Sequence, residues 1–121
     1  MAKRIMVVDD SRMVFLLMES LLKDSDYEIA AYCATGEEAL AQYEEVRPDI
    51  VTMDIVMPGI DGLETVKALL EKHRDARIVM ISSLAFDDTF EEAKALGAKE
   101  FIDKPFDREQ LLEVLDKVSE E

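Results

Sequence analysis

Short β-rich apolar runs that each stop on polar residues constrain this chain most. Ile5-Met6-Val7-Val8 runs into Asp9-Asp10, Ile50-Val51-Thr52-Met53 into Asp54, Ile78-Val79-Met80-Ile81 into Ser82-Ser83, and Phe101-Ile102 into Asp103-Lys104-Pro105. Runs that stay apolar on both faces read as buried parallel strands, and open α/β sheets collect ligands at the carboxyl ends of such strands. Three carboxylates, a hydroxyl and an ammonium are thus expected at one edge.

Helical-period segments fill the spaces between these runs. Ser11 is placed to cap a helix reaching about Lys23, with Val14, Leu17, Met18 and Leu21 facing inward. Tyr27 to Cys33 reads as a second strand, at an edge because polar residues intrude. Thr35 caps helix two, with Glu38 completing a capping box, and Arg47-Pro48-Asp49 ends it. The turn-forming stretch from Ile55 to Gly62 leads into helix three, Leu63 to about His73, with Val66, Leu69 and Leu70 inward. Strand four is Ala76 to Ser82. Helix four runs from about Asp88 to Leu96 and stops at Gly97, strand five is Glu100 to Asp103, and helix five is Asp107 to about Val118. Five βα units predict a parallel sheet with helices on both faces, a three-layer α/β sandwich. Spacing leaves the strand order open.

With 121 residues, the chain suits a single domain spanning 1–121, able to bury about two-thirds of its unfolded surface. Its 28 acidic and 14 basic residues give a net charge of −14, which repels duplex nucleic acid and anionic membrane. Direct nucleic-acid binding is not expected. Cys33 stands alone, which excludes an internal disulfide framework, and the longest apolar stretch, Met13 to Met18, is too short to span a bilayer. No signal-peptide region precedes the first strand, so a cytoplasmic protein is expected. The start at Met1 and the polar end Ser119-Glu120-Glu121 favour a complete chain.

Crowded acids need a counter-charge. If Asp9, Asp10 and Asp54 lie within about 5 Å of one another, each pair repels by about 3 kcal/mol at an effective dielectric near 20, more than Lys104 alone offsets. Mg2+ suits such a set, because it takes one or two carboxylates and keeps waters that a phosphoryl oxygen can replace. Asp54 would then serve as nucleophile and form an acyl phosphate, with Lys104 stabilising the transferring oxygens and Ser82 donating a hydrogen bond. Taken singly, each residue has a plainer reading. Asp-Asp is a common helix cap, Lys104-Pro105 a turn, and Ser82-Ser83 a cap for helix four. Their convergence on one edge favours the joint reading.

The chain resembles the receiver domain of bacterial two-component response regulators, and most of all the stand-alone chemotaxis type, over essentially its whole length. The residues that carry this are Val7-Val8-Asp9-Asp10-Ser11, the stretch from Asp54 to Gly62, Ser82, Gly97-Ala98 and Lys104-Pro105-Phe106. The resemblance implies a flavodoxin-like sheet in the order 2-1-3-4-5, for which chemotaxis regulators are themselves the standard illustration. It implies that Asp54 takes a phosphoryl group from a sensor histidine kinase or a histidine phosphotransfer protein. Mg2+ would be held by Asp10, Asp54 and the backbone carbonyl of Val56, with Asp9 assisting through water. Lys104 would pair with the phosphoryl group, and the Lys104-Pro105 peptide bond would be cis. Ser82 would move toward the phosphate and Phe101 would swing inward after it, changing the helix 4/strand 5/helix 5 face that a downstream protein reads. Such a protein is a switch and not an enzyme beyond its own phosphorylation and dephosphorylation.

Ser82 and Phe101 stand where threonine and tyrosine are commoner in the family, both permitted variants. Val56 and Leu84 flank the site where many relatives carry polar groups, so a slowly lost acyl phosphate is expected. Helix one carries Met13, Phe15 and Leu16 away from its inward stripe, a face that relatives use against a four-helix bundle; the plainer reading is packing against neighbouring loops or helix five. His73 is expected as a solvated cation near the end of helix three. Three other functions compete. A hydrolase of the haloacid-dehalogenase type needs a second acid where Val56 stands. A flavodoxin-like cofactor module needs a glycine-rich loop where Asp9-Asp10 stand. A pseudo-receiver that is never phosphorylated fits poorly with an intact acidic set.

Overall fold

The computed structural model describes residues 2–83 and 87–120. Its elements run β1 (Lys3–Val8), α1 (Arg12–Leu21), β2 (Tyr27–Cys33), α2 (Gly36–Val46), β3 (Ile50–Met53), α3 (Gly62–Lys72), β4 (Ile78–Ser82), α4 (Asp87–Leu96), β5 (Glu100–Asp103) and α5 (Arg108–Ser119). All ten lie within two residues of the boundaries expected from periodicity. The strands form one parallel sheet in the order β2-β1-β3-β4-β5. β2 is an edge strand, as its intruding polar residues imply.

Period-2 alternation sorts the strand side chains into two apolar layers. Met6, Val8, Val51, Met53, Ile78 and Met80 pack with Ala39 of α2, Val66 and Leu69 of α3 and Ala93 of α4. Ile5, Val7, Ile50, Val79 and Ile81 pack on the other side with Met18 of α1 and Leu111, Leu115 and Val118 of α5. Each fully buried aliphatic side chain of this kind contributes about 1.5–3 kcal/mol. With both faces covered, the polar residues that close the strands are left at the sheet's carboxyl edge.

Helix ends show where local sequence rules acted and where they did not. Thr35 Oγ1 accepts the Glu38 N–H at 3.1 Å, but Glu38 reaches back to the Ala34 N–H at 3.3 Å, one residue short of a reciprocal box. Full capping boxes occur instead at Asp61 with Glu64 and at Asp107 with Gln110. Ser11 occupies the N-cap of α1 without a side-chain cap bond. Its backbone N–H donates to Asp9 Oδ1 at 2.8 Å, so the preceding acid organises the turn.

Two side chains of α1 exchange the places expected of them. Phe15, expected outside, is half-buried and stacks on Tyr32 with ring centroids 4.7 Å apart. Leu17, expected inside, is exposed together with Met13 and Leu16. The inward stripe is shifted toward the edge strand, where Tyr32 offers Phe15 an aromatic partner. His73 is also less exposed than expected. It is half-buried, its ring 4.5 Å from that of Tyr43, with Nε2 3.8 Å from Glu44 Oε1.

Candidate phosphoacceptor site

Asp9 and Asp10 follow one strand and Asp54 another, and parallel pairing brings them together. Val8 pairs with Met53, so the residues that follow β1 and β3 emerge side by side, and the Asp54 N–H donates to the Val8 carbonyl at 2.9 Å. One ligand oxygen from each acid lies within 4.8 Å of the others. Asp9 and Asp54 are buried and Asp10 is exposed. Charges packed this closely with limited solvent raise the energy of the ionised set.

The Asp54 carboxyl registers that cost. Its pKa rises from 3.8 to about 6, chiefly through burial and then through the neighbouring Asp9 charge, with Asp10 adding a little. The Lys104 ammonium and the Ile55 N–H, which donates to Asp54 Oδ1 at 2.9 Å, pull the other way. A two-unit rise amounts to about 3 kcal/mol against the ionised form.

Lys104 follows β5 and reaches the same edge, where Nζ lies 2.9 Å from Asp9 Oδ2 and 3.5 Å from Asp54 Oδ1. With Ser11 N–H on Oδ1 and Lys104 on Oδ2, Asp9 has a partner on each oxygen. The Lys104-Pro105 bond is cis, as the resemblance implied. Ser82 closes β4 and is buried, and its register partner is Asp103, next to Lys104. Val56, two residues after Asp54, has an exposed side chain. The companion expectation for Leu84 falls outside the described residues.

Backbone packing fixes Asp54 from behind. A Cβ on Gly62 would sit 2.0 Å from the Asp54 carbonyl oxygen, so only glycine lets the start of α3 approach this closely. The Gly62 N–H then donates to the Ile55 carbonyl at 2.7 Å and closes the loop between them.

Phe101 on β5 is half-buried, its ring edge-on to Phe90 of α4 at 5.4 Å. Phe90 escaped the sequence reading. The signal for it is one aromatic at mid-helix in an otherwise acidic α4.

The donor set is all hard oxygen, three negative charges against one ammonium, which suits Mg2+ and leaves room for its waters. A family model for the response regulator receiver domain matches residues 5–116. The chain belongs to the response regulator receiver family. It is 39% identical to the chemotaxis protein CheY of Listeria monocytogenes, over 96% of this chain and 98% of that one. It is 37% identical to CheY of Thermotoga maritima over 98% and 99% of the two chains. Among solved structures, the CheX-CheY-BeF3-Mg2+ complex from Borrelia burgdorferi contains a chain that matches with TM-score 0.92 and 33% identity, covering 96% and 88%. This receiver is therefore of the CheY type, a phosphoacceptor switch of two-component signalling, and its acidic cluster fits the Mg2+ phosphorylation site. Among the described residues, no helix is long and apolar enough to cross a membrane.

Proposed function

We propose that Asp54 is the residue phosphorylated, within a single receiver domain spanning residues 1–121. The observation that carries this is the meeting of Asp9, Asp10 and Asp54 within 4.8 Å, with the Lys104 ammonium against two of them. Asp10, Asp54 and the Val56 carbonyl would hold Mg2+, and Asp9 would act on it through water while orienting Lys104. Bound there, the ion would neutralise the acids and draw charge from the transferring phosphoryl oxygens. Lys104 would exchange its pairing with the acids for one with the phosphoryl group, and Ser82 would donate to that group.

The donor would be a phosphohistidine on a sensor kinase or a histidine phosphotransfer protein. Met13 and Leu16, exposed on α1, would offer it an apolar docking face together with Phe15, which stacks on Tyr32, and the exposed Val56 would add to it. Output would pass through Ser82 to Phe101 and on to the α4/β5/α5 face. The receiver would act in the cytoplasm as a signalling switch and not as an enzyme on other substrates. Intact-mass measurement after incubation with acetyl phosphate and Mg2+ tests this: the parent gains one phosphoryl group, whereas Asp54→Asn, or the parent with chelator, gains none. Equal labelling of parent and Asp54→Asn would refute it.

A further inference from the structure

The loop between Asp54 and α3 is held firmly at its two ends. Ile55 is bound through its N–H to Asp54 Oδ1 and through its carbonyl to the Gly62 N–H. Asp61 caps α3, and its carbonyl accepts the Thr65 hydroxyl at 2.7 Å. In between, Met57 is buried in the core, while Val56, Pro58 and Gly59 are exposed.

A side chain from a different helix reaches this middle stretch. Glu37, in the first turn of α2, accepts the Ile60 N–H on Oε2 at 3.4 Å. Its carboxylate also lies flat against Gly59, where a Cβ would fall 2.7 Å from Oε2 and 3.0 Å from Oε1. Gly59 has φ +78°, so a side chain there would be strained and would also push the Glu37 carboxylate aside. The neighbouring Gly36 is packed just as closely. A Cβ on it would lie 2.1 Å from Thr65 Oγ1 and 2.8 Å from Ile60 Cγ1. The start of α2 is thus fitted to the loop by two glycines and one carboxylate.

We infer that Glu37 is a positioning residue for the metal site: it straps the loop that carries the Val56 carbonyl and so sets where that oxygen is presented. This rests on the proposed Mg2+ site and extends it to a side chain on another element. What the task needs is a side-chain oxygen that reaches the Ile60 N–H from the first turn of α2, which a carboxylate or an amide of this length can supply. Outer partners that orient a ligand commonly alter metal affinity tenfold or more. Glu37 is exposed, so its replacement leaves the apolar core intact.

The test compares parent, Glu37→Gln and Glu37→Ala by Mg2+ titration calorimetry and by amide hydrogen exchange in chelator. Glu37→Ala is expected to weaken Mg2+ binding about tenfold and to speed exchange at residues 56, 57, 59 and 60 without speeding it in the strands. Glu37→Gln, which keeps an acceptor, stays near the parent in both. Unchanged affinity or unchanged exchange in Glu37→Ala overturns the strap. So does a Glu37→Gln that matches Glu37→Ala, since charge alone would then account for the effect. A parent that binds no Mg2+ overturns the functional reading and the metal-positioning role with it, an outcome distinct from a parent that binds and an alanine variant that binds equally well.

Discussion

Lys104 Nζ lies 2.9 Å from Asp9 Oδ2, closer than it lies to Asp54, so the ammonium is held mainly by an acid that is not the proposed phosphoacceptor. Asp9 thereby keeps Lys104 at the edge while leaving it free to move the short distance to a phosphoryl group on Asp54. Lys104→Ala removes this cation from a buried acid pair. In chelator it is expected to lower stability by about 3 kcal/mol, the range for breaking a buried pair. Urea unfolding checks this, and an unchanged midpoint would mean that the acids do not depend on Lys104.

Asp54 gives the pH dependence a definite sign. Its folded pKa of about 6 exceeds the unfolded 3.8, so the metal-free fold carries no penalty below pH 4. The penalty grows between pH 4 and 6 and is complete above that, reaching about 3 kcal/mol. Asp54→Asn is never charged and should be more stable than the parent by up to that amount at pH 8 in chelator. The advantage should fade toward pH 4. A constant difference across urea titrations at pH 4, 6 and 8 would contradict the burial of a charged Asp54.

Asp10 is exposed and contributes mainly charge. Asp10→Ala should raise the melting temperature in low-salt chelator, with the gain shrinking as salt screens the repulsion. Added Mg2+ should stabilise the parent by mass action and the variant much less. A lowered melting temperature in chelator would mean that the acids do not repel.

Much of this was legible from the chain because its signals are local and repeated. Apolar runs ending in acids, at βα spacing, fix both the layered sheet and the edge where Asp9, Asp10, Asp54, Ser82 and Lys104 meet. Side-chain partners across elements were not legible. Phe15 depends on Tyr32, His73 on Tyr43, and Glu37 on Gly59, and no periodicity within one helix encodes a neighbour on another. Strand order came through the family resemblance, since crossover lengths permit several orders.

The two faces of α1 can be separated by stability. Phe15→Ala loses a stacked ring and is expected to cost about 1–2 kcal/mol, part of it from the aromatic pair. Met13→Ala, at a position 74% exposed, should stay within about 0.5 kcal/mol. Thermal melts of both variants check this. Equal losses would mean that Met13 is packed and unavailable for docking.

Val56, two residues after Asp54, has an apolar side chain that is 60% exposed. Val56→Asn should shorten the lifetime of the acyl phosphate severalfold, because a polar group there can orient the attacking water. Phosphate release after removal of donor measures it. An unchanged lifetime would remove the basis for expecting slow loss.

The central claim is that one aspartate, Asp54, carries phosphate. Borohydride reduction converts an aspartyl phosphate to homoserine, so the labelled protein can be reduced, digested and mapped by mass spectrometry. Homoserine at position 54, dependent on both acetyl phosphate and Mg2+, is the expected result. Homoserine at Asp9, Asp10 or another aspartate, or at none, would contradict the account.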